Sequence, residues 1–140
     1  MNPQIEWLLD NEYIATIVYV SVTVLALVVF LSIFELVTKY KCWKEIKNGN
    51  VAIALATGGK IFGICNIFSH TISANATIYE SLLWGGYGFL ILLLAYLLFE
   101  FLTPVFKIDE ELINDNRAVG LIAMIISIGI SFIIGTTIVR

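Results

Sequence analysis

The sequence predicts an all-α membrane protein in which four transmembrane helices form two tandem, parallel two-helix repeats. Of its 140 residues, 59% are hydrophobic and only 14% are charged, which leaves too little polar surface for an ordinary soluble domain. Four apolar stretches reach the roughly 20 residues that a helix needs to cross a bilayer, namely residues 13–37, 51–73, 82–103 and 118–139. The short connectors predict one membrane domain over residues 1–140, with no soluble catalytic or nucleic-acid-binding module.

An internal repeat is the second observation behind this architecture. Phe34, Glu35 and Thr38 align with Phe99, Glu100 and Thr103. After a one-residue shift, Asn48, Asn50, Ala52, Leu55, Gly63 and Ile72 align with Asn114, Asn116, Ala118, Leu121, Gly129 and Ile138. Repeat one covers about residues 13–73 and repeat two about residues 78–139. Because each copy crosses the membrane twice, we expect a parallel repeat about an axis along the membrane normal.

The first predicted helix follows a short lead in which Trp7 and Tyr13 suit a membrane interface. Its long run of Val, Ile and Leu would suit a strand in water, but an isolated strand in lipid leaves its backbone groups unpaired. The environment therefore favours a helix. Glu35 lies near the end of this helix, about one turn, or roughly 6 Å, from Lys39.

The second helix is predicted to start after Asn50, whose side chain can accept hydrogen bonds from the first free backbone N–H groups. Asn116 has the same place before the fourth helix. Both asparagines are interpreted as helix caps, with contact to a substrate as the alternative.

Small residues mark the second and fourth helices as the closely packed pair. Gly59 and Gly63 expose backbone on one face of the second helix, and Ser127, Ser131 and Gly135 follow at four-residue steps in the fourth. We therefore expect these two helices at the centre of the bundle and the bulkier first and third helices against lipid.

The third helix is predicted to begin at Leu82 and to be stopped by Pro104. The connector that follows, residues 107–116, alternates apolar with acidic side chains. This alternation predicts a short helix that lies on the membrane surface.

The distribution of positive charge predicts the orientation in the membrane. Six basic residues fall in the two connectors that must share one side: Lys39, Lys41, Lys44, Lys47, Lys107 and Arg117. By the positive-inside rule these connectors are cytoplasmic and both termini are outside. We expect no cleaved signal peptide over residues 1–10. Two cysteines, Cys42 and Cys65, predict neither a disulfide nor a metal site, and we expect no cofactor.

Four ionisable side chains within the spans are the candidate polar site: Glu35, Lys60, His70 and Glu100. Each needs a partner or water, because a charge at the centre of a helix in lipid costs about 2.5 to 3.5 kcal/mol. Glu35 and Glu100 are repeat equivalents, so they either pair near the cytoplasmic face or sit separately at the headgroup boundary, Glu35 with Lys39. Lys60 lies about 14 Å along its helix from Asn50. Its long side chain is expected to bring the ammonium to Glu35 or Glu100.

His70 lies near the outer end of the second helix. It is expected to form a hydrogen bond in the helix interface rather than to transfer protons, although its ordinary pKa permits a switch near neutral pH.

The runs of residues 45–63 and 109–120 resemble the bacterial membrane-protein family called domain of unknown function 350, also catalogued as UPF0719. The likeness rests on the order of asparagine, alanine and glycine, and it covers nearly the whole chain. It implies a four-helix protein of the bacterial plasma membrane with two tandem repeats and no assigned catalytic residue. The second copy lacks the Gly-Gly-Lys element of residues 58–60.

Two function classes fit these observations. The first is a membrane-embedded interaction or scaffold component, for which a link to envelope stress is one hypothesis and a homo-oligomer or other membrane proteins are the expected partners. The second is a small homo-oligomeric ion or proton channel or transporter that uses Glu35, Lys60 and Glu100. Neither nucleotide loops nor nucleophile motifs occur in the sequence, so we expect a protein that is not an enzyme.

Overall fold

The computed structural model describes residues 2–74, 77–103, 105 and 107–138, and the regular structure within these ranges is α-helical. These residues form α1 (Pro3–Leu9), α2 (Glu12–Val37), α3 (Cys42–Lys47), α4 (Val51–Ser73), α5 (Ile78–Leu102), α6 (Ile108–Ile113) and α7 (Arg117–Ile138). By length and composition, α2, α4, α5 and α7 could each cross a membrane. The prediction of an all-α protein with four membrane-spanning helices is confirmed.

α5 begins four residues before its predicted start. Thr77 and Glu80 form a capping box, in which the Thr77 N–H donates to Glu80 Oε2 at 2.9 Å and the Glu80 N–H donates to Thr77 Oγ1 at 3.2 Å. These bonds satisfy N–H groups at the start of the helix, so polar residues that lack the hydropathy of a span extend it. α5 ends at Leu102, and Pro104 lies outside the described residues.

α6 confirms the predicted short helix, and its apolar side chains pack against the helix bundle. Ile108 and Leu112 are completely or almost completely buried, and they pack against Ala52 and Ile53 of α4. The first connector also contains a six-residue helix, α3. Both connectors are therefore part of the packed structure.

The passages from α3 to α4 and from α6 to α7 share their backbone geometry. Gly49, with φ 85°, and Asp115, with φ 56°, hold the same position in the left-handed region, where glycine is unstrained and aspartate is tolerated. The next residue donates its N–H five residues back in each case, from Asn50 to Glu45 at 3.0 Å and from Asn116 to Glu111 at 2.9 Å. A two-fold relation between whole repeats stays a prediction.

α4 and α7 are in backbone contact, as predicted, and α4 is the most buried of the four spans. A Cβ on Gly59 would lie 2.6 Å from the Cα of Met124, and a Cβ on Gly120 would lie 2.5 Å from the carbonyl oxygen of Ala52. Gly63 faces Ser127 and Ser131, while Gly135 faces the ring of His70. The small residues thus let the two backbones approach at several levels.

The other two spans pack less closely. In an apolar 18-residue stretch of each helix, 56% of α4 residues and 33% of α7 residues are buried, compared with 28% in α5 and 11% in α2. α2 is held chiefly by aromatic rings: Phe30 stacks on Phe89 of α5 at 4.2 Å between centroids, and Phe34 meets the edge of Tyr96 at 5.8 Å. These rings bring α2 and α5 together beside Lys60 of α4.

Candidate functional site

Lys60 is the charged side chain that the fold encloses most completely. It lies two and a half turns into α4, and only 1% of its surface is exposed. Since an ionisable group at this depth is costly in hydrocarbon, its surroundings must compensate for lost hydration. The contacts of its Nζ atom therefore define the candidate site.

Three aromatic rings surround the Lys60 ammonium. Its Nζ lies 4.8 Å from the ring centre of Phe34, 5.5 Å from that of Tyr40 and 4.6 Å from that of Tyr96. The same nitrogen donates a hydrogen bond to the Tyr40 hydroxyl at 3.2 Å. Cation–π contacts are worth about 2 kcal/mol or more when the cation is desolvated, so the cage replaces part of the hydration that Lys60 loses.

Asp109 supplies the opposite charge to this cage. Its carboxylate is buried, and its Oδ1 accepts a hydrogen bond from the Tyr96 hydroxyl at 2.5 Å. Its Oδ2 accepts the backbone N–H of Lys39 at 3.0 Å. Tyr96 therefore presents its face to Lys60 and its hydroxyl to Asp109, and its ring lies between the two charges.

Tyr40 takes part as a neutral phenol. Burial is the main cause that raises the pKa of this hydroxyl above its ordinary value, and the nearby Asp109 carboxylate also raises it. The phenol thus keeps its proton at physiological pH. Lys60 consequently donates to a neutral oxygen, and Asp109 is the anion of the group formed by Lys60, Tyr40, Tyr96, Phe34 and Asp109, here called the cage cluster.

Glu100 adjoins the cage cluster, whereas Glu35 does not. Glu100 Oε2 accepts the backbone N–H of Asp109 at 3.2 Å and so helps to hold the start of α6. In the described part of the chain, the Glu35 carboxylate has neither a hydrogen bond nor an ion pair. Glu35 and Glu100 are therefore not joined by a hydrogen bond.

Two expected ion pairs do not form among the described residues. Lys39 was expected to pair with Glu35 one turn away, but α2 ends at Val37 and the chain becomes extended at Thr38, so that the Lys39 ammonium lies 3.7 Å from Glu110. Lys60 was expected to reach Glu35 or Glu100, and no salt bridge joins it to either among the described residues. The Lys60 ammonium lies among the three aromatic rings instead.

Both asparagines cap the starts of their helices, and Asn50 also links the two halves of the chain. Asn50 Oδ1 accepts the N–H of Ile53 at 2.9 Å, and Asn116 Oδ1 accepts that of Val119 at 3.4 Å. The Asn50 amide donates across the bundle to the carbonyl of Leu112 at 2.8 Å. These bonds account for the burial of its amide.

His70 lies at the other end of the α4–α7 interface, away from the cage cluster. Its Nδ1 is 2.9 Å from the carbonyl oxygen of Asn66, one turn earlier in α4, and its ring meets Phe132 of α7 edge-on at 6.5 Å. Asn66 in turn donates to Ser131 Oγ at 3.1 Å. The hydrogen bond of His70 is thus within α4, while its ring packs against Gly135 and Phe132 of α7.

Sequence reasoning missed Asp109, Tyr40 and Tyr96 as members of the site. Asp109 stands in an acidic run that resembles a solvated helix face, and Tyr40 suits a membrane interface as an aromatic. A signal was available for Asp109, because a lysine in mid-span requires an anion somewhere in the chain. The sequence offers several anions, and only the fold selects one.

An open groove between α2 and α4 is the second notable feature. It has a volume of about 660 Å³ and lies beside the half of α4 that ends at Ser73. Its wall on α4 includes Cys65 and Ser69, and its wall on α2 includes Thr16 and Thr23. These side chains are small, and the two threonine hydroxyls bond carbonyls of their own helix at 2.8 Å. The same lining also includes larger side chains, among them Tyr19 of α2 and Phe68 of α4.

Comparison with known proteins identifies close similarity to two bacterial membrane proteins. The family model described as Domain of Unknown Function (DUF350) matches residues 8–138. The UPF0719 transmembrane protein YshE of Bacillus subtilis is 56% identical over 125 residues, which are 89% of this chain and 93% of that protein. The UPF0719 inner membrane protein YjfL of Escherichia coli K12 is 30% identical over 111 residues, which are 79% and 83% of the respective chains. No solved structure matches the chain.

Proposed function

The chain belongs to the DUF350 family of membrane proteins, and from this premise we propose that it is a membrane-embedded interaction component that assembles through the groove between α2 and α4. The groove is the observation that carries the proposal. It is an open concavity with a volume of about 660 Å³ beside α2, the least buried of the four spans. Small side chains allow helices in a membrane to approach closely, and the groove lining includes Ala15, Cys65 and Ser69.

The occupant proposed for the groove is α2 of a second copy of the chain. Its exposed side chains Ile17, Val20 and Val24 are 66%, 57% and 51% accessible, and Val20 and Val24 also line the groove of their own copy. A contact in which each copy's α2 lies against the other's groove is two-fold and self-closing. The product would be a dimer rather than an open chain of copies.

The contacts of the cage cluster support a structural use of its charges. Lys60 and Asp109 are engaged by Tyr40 and Tyr96, and both charges are buried. We therefore propose that the protein is not an enzyme. A role in envelope stress stays a hypothesis within the interaction class.

Ser69→Trp tests the proposed dimer, because its indole would fill the groove. Förster transfer between labelled copies in liposomes, measured over a range of protein-to-lipid ratios, should show association of the unmodified chain and at least a tenfold weaker association of the variant, which corresponds to about 1.4 kcal/mol. Ser32→Trp is the matched control, since Ser32 is exposed on α2 and does not line the groove. Monomers at every ratio would refute self-assembly.

A small homo-oligomeric ion or proton channel is the second candidate. One observation favours it: two carboxylates, those of Glu100 and Asp109, lie close to Lys60, since Glu100 accepts the backbone N–H of Asp109 and the Asp109 side chain accepts the hydroxyl of the ring that covers Lys60. Ion and proton flux into liposomes distinguishes the candidates. Loss of flux in folded Lys60→Met, Glu35→Gln and Glu100→Gln variants would favour the channel, and no flux above empty liposomes would count against it.

We also propose that both termini lie outside the plasma membrane, with α3 and α6 on the cytoplasmic side. The basic residues of the two connectors support this orientation through the positive-inside rule. Single cysteines placed at position 2 and at position 44, in a chain whose Cys42 and Cys65 are replaced by alanine, should differ in labelling by a membrane-impermeant maleimide on intact cells. Labelling at position 44 alone would reverse the orientation.

A further inference from the structure

A second groove follows the last turns of α5 and has a volume of about 740 Å³. Its floor is formed by four exposed side chains at helical spacings of three and four residues: Leu94, Leu97, Leu98 and Phe101. From first to last they cover about 10 Å along the helix axis. This floor is long enough for the upper part of one acyl chain.

The mouth of this groove carries charges of both signs. Lys39, Lys107 and Glu100 line it where α5 ends and the connectors begin. The Lys39 ammonium lies 3.7 Å from Glu110, and its side chain remains 52% exposed. Lys107 is exposed and has no salt bridge within the described residues. The Glu100 carboxylate is positioned by the N–H of Asp109 at 3.2 Å.

The polar and apolar parts of the groove follow one another in the order found in a phospholipid. The charges lie at the end of the membrane span, and the leucines continue along α5 toward its middle. A lipid whose phosphate contacts Lys39 and Lys107 would therefore place an acyl chain on the leucine floor. Lysines at this level attract lipid phosphate groups.

We propose that this groove binds a phospholipid of the phosphatidylethanolamine class, with the phosphate on Lys39 and Lys107 and the primary ammonium on Glu100. Glu100 selects among headgroups. An anionic phosphatidylglycerol has no cation to meet this carboxylate, which would repel it. Phosphatidylcholine has a cation without an N–H group, so it forms no hydrogen bond with the carboxylate.

Native mass spectrometry of the purified full chain tests the proposal, with phosphatidylethanolamine, phosphatidylglycerol and phosphatidylcholine of identical acyl chains as the probes. The unmodified chain should retain phosphatidylethanolamine about fivefold better than the other two, the difference expected from one charge-assisted contact. Glu100→Gln should abolish this preference. The double variant Lys39→Gln/Lys107→Gln should weaken retention of both phosphatidylethanolamine and phosphatidylglycerol by at least fivefold.

Controls separate the groove from general charge effects and from misfolding. Lys44→Gln/Lys47→Gln removes the same charge from exposed positions on α3 that do not line the groove, so it should leave retention unchanged. Leu97→Trp would obstruct the leucine floor without altering a charge and should reduce retention of phosphatidylethanolamine. Leu83→Trp, near the start of α5 and outside the groove, is its control.

Three results would overturn the proposal. A preference for phosphatidylglycerol that Glu100→Gln leaves intact would identify an anionic-lipid site instead. Equal retention of all three lipids would identify an ordinary lipid-facing surface. Retention of phosphatidylethanolamine that is unchanged by Leu97→Trp would show that the lipid binds elsewhere. None of these outcomes depends on dimerisation through the groove between α2 and α4.

Discussion

The two ends of the bundle differ in how many side-chain hydrogen bonds connect distant segments of the chain. At the end that carries α3 and α6, hydrogen bonds connect segments far apart in the chain: the Asn50 amide donates to Leu112 at 2.8 Å, and the Ala52 N–H donates to Asp115 at 2.9 Å. At the opposite end, Asn66 donates to Ser131, and α2 stands away from α4 across the open groove. We call the end with α3 and α6 the braced end. The opposite end has surface available for association.

Asp109→Ala should have the largest effect on this contrast. The substitution leaves the Lys60 ammonium buried without its anion and leaves the Lys39 N–H and the Tyr96 hydroxyl without their acceptor. Removal of one partner from a buried charge pair costs about 3 to 5 kcal/mol. Reversible unfolding in mixed micelles should show this loss of unfolding free energy, while Glu110→Ala, at an exposed position on the same helix, should lose less than about 1 kcal/mol.

The double variant Lys60→Met/Asp109→Leu sharpens the same test. Because it removes both charges, it should recover a large part of the stability that Asp109→Ala loses. If the double variant is less stable than the single one, the two charges do not compensate each other.

Gly59→Ala should have the next largest effect. Its new methyl group would meet the Cα of Met124 at 2.6 Å, and the backbone there must move, at a cost of about 1 to 3 kcal/mol. Gly58→Ala is the neighbouring control, because its Cβ meets nothing within 4 Å and alanine favours a helix. Unfolding of both variants in the same micelles measures the difference. Equal stabilities would mean that the close approach of α4 and α7 is not needed.

A pair of asparagines compares the two ends most directly and should give the smallest effects. Asn50→Ala removes a helix cap and a cross-bundle bond at the braced end, which should cost about 1 to 2 kcal/mol. Asn66→Ala removes one bond to Ser131 at the opposite end, where interhelical hydrogen bonds in membranes average about 0.6 kcal/mol. Hydrogen exchange in nanodiscs should show faster opening of α6 in the first variant alone. Equal costs would remove the contrast between the ends.

Properties carried by local sequence could be predicted well. Hydropathy located the four spans, and the position of Asn50 before an apolar run predicted the start of α4. The exception is α5, where the capping box of Thr77 and Glu80 adds a helical turn that hydropathy does not register. Local hydrogen bonds and apolar length are separate causes of a helix boundary, and a hydropathy window reports only the second.

The membership of the site could not be predicted in the same way. Lys60 was recognised because a cation among apolar residues is unusual on sequence grounds alone. Its aromatic partners come from α2, from the connector after α2 and from α5, and its anion comes from α6. Charge pairing over such distances depends on how the helices pack, for which a single sequence contains no direct signal.

The two charges of the cage cluster lie in parts of the chain that are synthesised at different times. Lys60, Phe34 and Tyr40 leave the ribosome first, and Asp109 follows Lys60 by 49 residues, which at about 5 to 20 residues per second takes roughly 2 to 10 s. During that interval the lysine has been synthesised and its anion has not. The amino-terminal half of the chain therefore matures only when the carboxy-terminal half arrives.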